Sequence, residues 1–237
     1  MSATAYARTA GILYLIIAVC SAFAIAYVPS VIVVDGDAAA TAANLMAHRA
    51  LFGIGAFADV IVMVTEIALS VMLFVMFRPV SRTLSLIALV SRLTIVVVMA
   101  VNLLIHILPI VLLSGTGYLH AFTPAQLQAT ALALFKAHQY GIYVWDMFFG
   151  FHLAVLGYLV VRSGQFPRLL GVAMLIGSLG YFFEGLIKVT FVDNAAAAMI
   201  VAGLLVVATI AELTFALWLL IKGAKIADGK LMASPRD

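Results

Sequence analysis

Four ionisable residues that could do chemistry, Asp59, His106, Asp146 and Glu184, lie within long apolar stretches. Carboxylates and imidazoles can transfer protons, hold cations or ligate zinc and iron. Such groups are costly in hydrocarbon, so they are expected to face one another or a water-filled cavity. Counting 1.5 Å per residue places all four roughly 9–14 Å below the predicted outer surface. We name the predicted outer polar layer by its seven members: Asp59, Asn102, His106, His138, Tyr143, Asp146 and Glu184.

A second group of polar residues is predicted at greater depth, roughly 21–31 Å from the outer surface. Arg92 is its single cation, and Glu66 and Glu212 are its candidate counter-charges, with His152 beside them. An arginine buried in a helix bundle must be paired, and two acids from other helices would satisfy it. The sequence therefore predicts a structural ion-pair network here.

The outer polar layer predicts a binding or translocation protein. Its acids outnumber the deep cations at that depth, which leaves three outcomes: a shared proton, a bound metal, or access for water and ligand. The leading hypothesis is that a small polar ligand, proton or cation occupies an outward-facing cavity. His138 and Tyr143 would line its entrance.

Two alternatives stay open. The first is a metal-assisted enzyme acting on a lipid or isoprenoid, with zinc or iron held by Asp59, His106, Asp146 and Glu184. The chain contains no HExxH, GxSxG, phosphate-loop or CxxC motif, so this site would have to assemble from separate helices. The second is a structural or assembly protein in which every buried charge is paired.

Composition identifies the class of protein. Of the 237 residues, 66% are hydrophobic and only 10% are charged, which indicates an integral membrane protein. The net charge is +3, and the Lys and Arg residues are spread along loops rather than clustered with aromatics, so nucleic acid is not expected as a partner. Membrane lipids are the expected surroundings, a small-molecule or lipid ligand is a possible partner, and the small size favours a homo-oligomer. The single cysteine, Cys20, allows no disulfide within the chain.

Six stretches are long enough to cross a bilayer, which takes roughly 20 apolar residues. The sequence thus predicts an all-α fold with one six-helix transmembrane domain over residues 1–237, including a cytoplasmic tail at 222–237. By the positive-inside rule both termini are cytoplasmic. Arg8 and the small residues Ala22, Ala24 and Ala26 also fit a cleavable signal peptide, an alternative for the first span. The predicted spans are 9–28, 51–77, 84–113, 138–161, 168–189 and 196–221.

Two short outer helices are expected before spans 2 and 4. Asp37 can cap an alanine-rich stretch. Thr123 is a natural N-cap, with Pro124 at the first helical position and Gln126 completing a capping box. A single helix over 124–161 would be about 57 Å long, so we expect a bend near Gly141 or a long portion outside the membrane.

Several segments resemble a bacterial family of multi-pass membrane proteins known as domain of unknown function 4386. They are ARTAGILYLI, VDGDAAATAANL, the Arg78–Pro79 turn with Arg82 and Arg92, and HQYG followed by FFGFHLAVLGYLVVRSGQFPRLLG. The resemblance extends over residues 7–223. It implies a membrane fold of this length in a prokaryotic inner membrane, and it transfers no catalytic residue.

Overall fold

The structure is a computed structural model that describes residues 2–115, 117–192 and 194–224. These residues form helices and connections, with no β-strand among them. Six helices are long and apolar enough to cross a membrane, so the predicted all-α class and number of spans are confirmed. Residues 225–237 of the predicted tail lie outside the described ranges. The six membrane-length helices are Thr4–Ile32, Arg49–Phe77, Arg82–Leu112, Pro124–Ser163, Arg168–Val189 and Ala195–Ile221.

The first span is continuous but changes its helical type. It consists of α1 (Ala3–Ser21), a π-helical turn (Ala22–Tyr27) and α2 (Val28–Ile32). In that turn the Val28 N–H donates to the carbonyl of Phe23, five residues earlier. Pro29 follows directly and has no N–H to donate, and an insertion in the hydrogen-bond ladder is one way in which a helix accommodates such a residue.

A short helix, α3 (Ala38–Ala47), precedes the second span. The Asp37 carboxylate accepts from the Ala40 N–H at 2.8 Å, which is the predicted N-cap. The chain departs from helical geometry at His48, and α4 (Arg49–Phe77) then forms the second span. A turn containing Pro79 leads into α5 (Arg82–Leu112), which forms the third span.

The fourth span belongs to a single 40-residue helix, α6 (Pro124–Ser163). Its capping box forms as predicted: the Thr123 N–H donates to Gln126 Oε1 at 2.8 Å, and the Gln126 N–H donates to Thr123 Oγ1 at 3.3 Å. The segment before the span is thus the first part of α6 rather than a separate helix. At 1.5 Å per residue α6 is about 60 Å long, about twice the hydrocarbon thickness.

The last two spans follow short connections. Gly164 has a φ of +64° in the turn before α7 (Arg168–Val189), a conformation that glycine adopts without strain. Asn194 caps α8 (Ala195–Ile221) by accepting from the Ala197 N–H at 3.0 Å.

Contacts divide the chain into two compact units. We call the first the arginine unit because it contains Arg92; it comprises Met1–Ile16, Thr65–Val96 and Tyr143–Asp237. We call the second the histidine unit because it contains His106 and His138; it comprises Ile17–Val64 and Val97–Ile142.

Small residues bring the helices of the arginine unit close together. A Cβ atom on Gly177 of α7 would lie 2.5 Å from the Cα of Ala208 in α8. One on Gly150 of α6 would lie 2.8 Å from the backbone nitrogen of Phe182 in α7. Close backbone approach at glycine is the usual packing of membrane helices, where dispersion replaces the hydrophobic effect as the driving force. This packing fixes the helices that hold the polar groups of this unit.

The histidine unit has an apolar core of its own. Val28 and Ile32 from α2, Leu45 from α3, Phe52 from α4 and Phe135 from α6 are buried together. The short helices α2 and α3 thereby pack against the longer ones. Phe52 and Phe135 of this core also contact the ring of His106.

Candidate functional site

Arg92 is the centre of the polar groups in the arginine unit. It is 1% exposed, although it is the longest cationic side chain that a span could bury. Its Nε donates to Glu66 Oε2 in a close ion pair, and its Nη2 donates to Glu66 Oε1 at 3.1 Å. This two-point geometry between guanidinium and carboxylate is the strong form of the interaction. The predicted pairing of Arg92 with Glu66 is thus present in the structure.

The remaining guanidinium nitrogen has two partners. Arg92 Nη1 lies 3.2 Å from the Tyr14 hydroxyl and 3.1 Å from His152 Nε2. His152 Nδ1 lies 2.9 Å from the carbonyl oxygen of Ala88, which can only accept. Nδ1 therefore carries the proton, and Nε2 accepts from Arg92. His152 is a neutral histidine held in one tautomer.

We call Tyr14, Glu66, Arg92 and His152 the arginine cluster. Four of the five guanidinium N–H groups in this cluster have acceptors, counting one on Nε, one on Nη2 and two on Nη1. The guanidinium carbon also lies 4.9 Å from the centre of the Tyr14 ring and 5.9 Å from that of Phe149. A cation held over aromatic faces gains further attraction. The cluster is nearly saturated by the protein itself.

Glu212 was predicted as a second counter-charge of Arg92, but no direct ion pair joins the two side chains in the described ranges. Its carboxylate lies near the hydroxyl of Tyr181, and its Oε1 is buried with no partner among the described residues. Arg92 acts on it only through the longer-range attraction of charges. The reason is that Glu66 already occupies both donors on one edge of the guanidinium.

The sequence reasoning missed Tyr14 and Tyr181. A tyrosine in an apolar helix has no spacing that distinguishes a hydroxyl used as a hydrogen-bond partner from a ring used for packing. A usable signal does exist in retrospect. A buried arginine has five donors; a carboxylate in two-point contact uses two and an imidazole uses one, which leaves donors that a nearby hydroxyl can satisfy.

His106 is the centre of the polar groups in the histidine unit. It is 2% exposed and lies among aromatic rings rather than charges. Its ring stacks on Phe52 with centroids 4.8 Å apart and meets the edge of Phe135 at 5.8 Å. The His138 ring lies 4.1 Å away, centroid to centroid. His106 Nδ1 is buried and has no partner among the residues that the structure describes.

Asn102 and His138 link α5 to α6 by a reciprocal contact. Asn102 Nδ2 donates to the His138 carbonyl at 3.0 Å, and His138 Nδ1 lies 3.3 Å from the Asn102 carbonyl. Because that carbonyl can only accept, His138 Nδ1 carries the proton and Nε2 keeps a lone pair. Gly141 makes room for this arrangement, since a Cβ there would overlap the Asn102 amide. We call Asn102, His106 and His138 the histidine cluster.

The two deep aspartates of the predicted outer polar layer are buried without protein partners. Asp59, in the histidine unit, is 8% exposed, and Asp146, in the arginine unit, is 5% exposed. Neither forms a hydrogen bond or ion pair with another described residue. The other ion pair recorded in the described ranges joins the exposed Lys136 and Asp35.

Glu184 and Tyr143 of the predicted layer belong to the arginine unit. Glu184 is half-buried, and Lys188, one turn further along α7, is exposed. Their charges attract, but within the described part of the chain no direct ion pair joins them. Lys188 Nζ also lies 6.0 Å from the centre of the Tyr143 ring.

The structure provides no metal centre for the enzyme hypothesis. In the ranges 2–115, 117–192 and 194–224, no group of three or more His, Cys, Asp or Glu side chains could hold a metal ion. The proposed ligands Asp59, His106, Asp146 and Glu184 therefore do not form such a group.

Comparisons with known proteins give a family without an activity. An uncharacterized protein of Archaeoglobus fulgidus is 27% identical to this chain over 173 residues, which are 71% of this chain and 83% of the relative. No solved structure matches. The model of the family described as "Domain of unknown function (DUF4386)" matches residues 9–223, so the chain belongs to that family.

Proposed function

We propose that this chain is a membrane-embedded binding or translocation protein whose ligand is a proton, a small cation or another small hydrogen-bond donor. Asp59 in the histidine unit and Asp146 in the arginine unit would each be a candidate position for the ligand. The histidine cluster would contribute neutral lone pairs in the histidine unit. The structural role would fall to the arginine cluster, in which four of the five guanidinium donors already have acceptors.

The observation that carries this proposal is that the buried polar atoms without partners include hydrogen-bond acceptors in both units. When they are ionised, the carboxylates of Asp59 and Asp146 only accept hydrogen bonds, as does the buried and unpartnered Oδ1 of Asn102. His138 Nε2 is also an acceptor, because the proton of that ring is on Nδ1. A buried acceptor without a partner costs about 1–3 kcal/mol. A surplus of acceptors is relieved by a donor or a positive charge.

The distribution of basic residues supports an orientation for this site. Arg8, Arg78, Arg82, Arg162, Arg168 and Lys222 are at the ends of spans that share one side in the six-span arrangement. By the positive-inside rule that side would be the cytoplasm, with both termini there. Helix α3 and the first part of α6 would then lie outside a prokaryotic cytoplasmic membrane.

Ligand-linked stability tests the proposal. A ligand that binds only the folded protein stabilises it by RT ln(1 + [L]/Kd), about 2.7 kcal/mol at a hundred times Kd. The purified protein would be unfolded thermally in detergent across a panel of pH values, Na⁺, K⁺ and methylammonium. We expect at least one condition to raise the midpoint, and we expect Asp59→Asn or Asp146→Asn to abolish that rise.

The matched control is Asp37→Asn. Asp37 is exposed and caps α3, and asparagine is an equally good N-cap, so this variant should respond as the unmodified chain does. Two results would contradict the proposal. One is no stabilisation by any member of the panel, and the other is a response that both buried-acid variants retain in full.

A further inference from the structure

A cavity of about 150 Å³ lies between α7 and α8 in the arginine unit. Two of its lining residues, Glu184 and Lys188, come from α7 and carry opposite charges. The α8 side contributes the amide of Asn194 and the apolar side chains of Val201 and Leu205. One end of the cavity is therefore charged, and its wall along α8 is apolar.

Glu184 and Lys188 both line the cavity, and no direct ion pair joins them among the described residues. Glu184 and Lys188 are four residues apart, with glutamate first, which is the order that favours a direct pair on a helix. No such pair forms among the residues described, and both side chains line the same space. A molecule carrying a positive and a negative group could contact both residues at once. A purely anionic ligand would be repelled by Glu184, and a purely cationic one by Lys188.

The beginning of α8 adds donors near the cavity. Asn194 uses its side-chain oxygen to cap the helix, so its amide NH₂ is not needed for the cap. The first turn of a 27-residue helix also presents the positive end of its dipole. Together with Lys188, these groups favour the anionic part of a ligand. Glu184 is then left for an amine.

We propose that this cavity binds a zwitterion with a primary amine and a phosphate group, such as the phosphoethanolamine headgroup. The amine would contact Glu184, the phosphate would contact Lys188, and an attached acyl chain would follow Val201 and Leu205 toward the lipid. The headgroup could belong to phosphatidylethanolamine or to a free phosphoethanolamine. The site uses neither Asp59 nor the histidine cluster, so it can succeed or fail independently of the proposed ligand site.

Lipid retention tests the inference directly. The full chain would be reconstituted in phosphatidylcholine vesicles containing equal small amounts of phosphatidylethanolamine and phosphatidylglycerol. Bound lipids would then be counted by native mass spectrometry. We expect phosphatidylethanolamine to be enriched over both other lipids. Lys188→Gln and Glu184→Gln should each reduce the enrichment about tenfold, since each removes one charge-assisted hydrogen bond.

Two further variants separate this site from general charge effects. Lys136→Gln removes the same charge from an exposed position in the histidine unit and should leave the enrichment unchanged. Ala202→Trp fills the cavity without changing any charge and should abolish the enrichment. Folding of every variant would be checked by its thermal midpoint, so that a lost enrichment is read only from folded protein.

Competition with soluble O-phosphoethanolamine distinguishes the lipid phosphatidylethanolamine from free phosphoethanolamine as the ligand. If it displaces the bound phosphatidylethanolamine, the site accepts the free zwitterion. If it does not, the lipid is the ligand, and both results support the site. A preference for phosphatidylglycerol, or equal enrichment in the unmodified chain and in Lys188→Gln, Glu184→Gln and Ala202→Trp, would overturn the inference.

Discussion

The arginine cluster and the histidine cluster bury polar groups under opposite conditions. In the arginine cluster a full positive charge meets a carboxylate, a hydroxyl and a neutral imidazole, and four of its five donors are satisfied. In the histidine cluster neutral rings lie among phenylalanines, and Asn102 Oδ1 and His106 Nδ1 stay without described partners. The arginine cluster is nearly saturated by partners within the protein, whereas the histidine cluster keeps two buried polar atoms without described partners.

This difference distinguishes buried polar groups that stabilise the fold from buried polar groups that remain available to a ligand. Breaking a buried pair leaves an uncompensated charge, so a saturated cluster stabilises its own arrangement once it has formed. An incomplete cluster gains nothing structural from its free atoms and is retained at a cost in stability. Intramembrane groups of the second kind are therefore the better candidates for contact with a ligand.

The largest predicted effect comes from removing the central charge. Arg92→Met should lower the free energy of unfolding by about 3–5 kcal/mol, because Glu66 is left buried without its cation. Chemical unfolding in detergent would measure the loss. Arg82→Met, at the exposed start of α5, should cost less than about 1 kcal/mol. Equal losses in the two variants would show that the cluster is not what stabilises the arginine unit.

Two glycine-to-alanine substitutions compare the packing at the histidine cluster with the packing elsewhere in the histidine unit. Gly141→Ala should cost about 1–3 kcal/mol, because the new Cβ overlaps the Asn102 amide and displaces its bond to His138. Gly53→Ala meets no atom within 4 Å and should instead gain up to about 1 kcal/mol from helix propensity. The same unfolding assay gives both values. A loss in both variants would mean that packing around Asn102 is not the cause.

A smaller effect is predicted for the ring of His106. His106→Phe keeps a ring between Phe52 and Phe135 and removes the unpartnered Nδ1, so stability should stay the same or rise by about 1 kcal/mol. The ligand-dependent rise in midpoint should weaken at the same time. His106→Gln serves as the polar comparison. A loss of several kcal/mol in His106→Phe would reveal a structural role for that nitrogen.

Much of the architecture could be predicted from single helices. Runs of apolar residues located six spans, and Thr123 with Gln126 located the start of α6, because these signals lie within a few residues of one another. The pairing of Arg92 with Glu66 followed from the need of a buried charge for a partner. Each of these predictions follows from an energetic requirement that can be recognised in the sequence of single helices.

Contacts between helices were harder to predict. Depth and helical spacing place a residue on a face of its own helix but do not say which faces meet. That is why Tyr14 was missed beside Arg92, and why Glu212 was expected to pair with Arg92 although no direct ion pair joins them among the described residues. Interhelical register depends on where small residues such as Gly177 allow close approach, which a count of residues does not reveal.

The most direct test neutralises one acid that is paired with arginine and one buried acid without a described partner. The free energies of unfolding of the two variants are then compared in the same detergent. Glu66→Gln leaves Arg92 without its carboxylate and should cost about 3–5 kcal/mol. Asp59→Asn removes a buried charge that has no described partner, so it should cost nothing measurable or stabilise the protein. Similar losses of several kcal/mol in both variants would contradict the division into structural and ligand-binding acids.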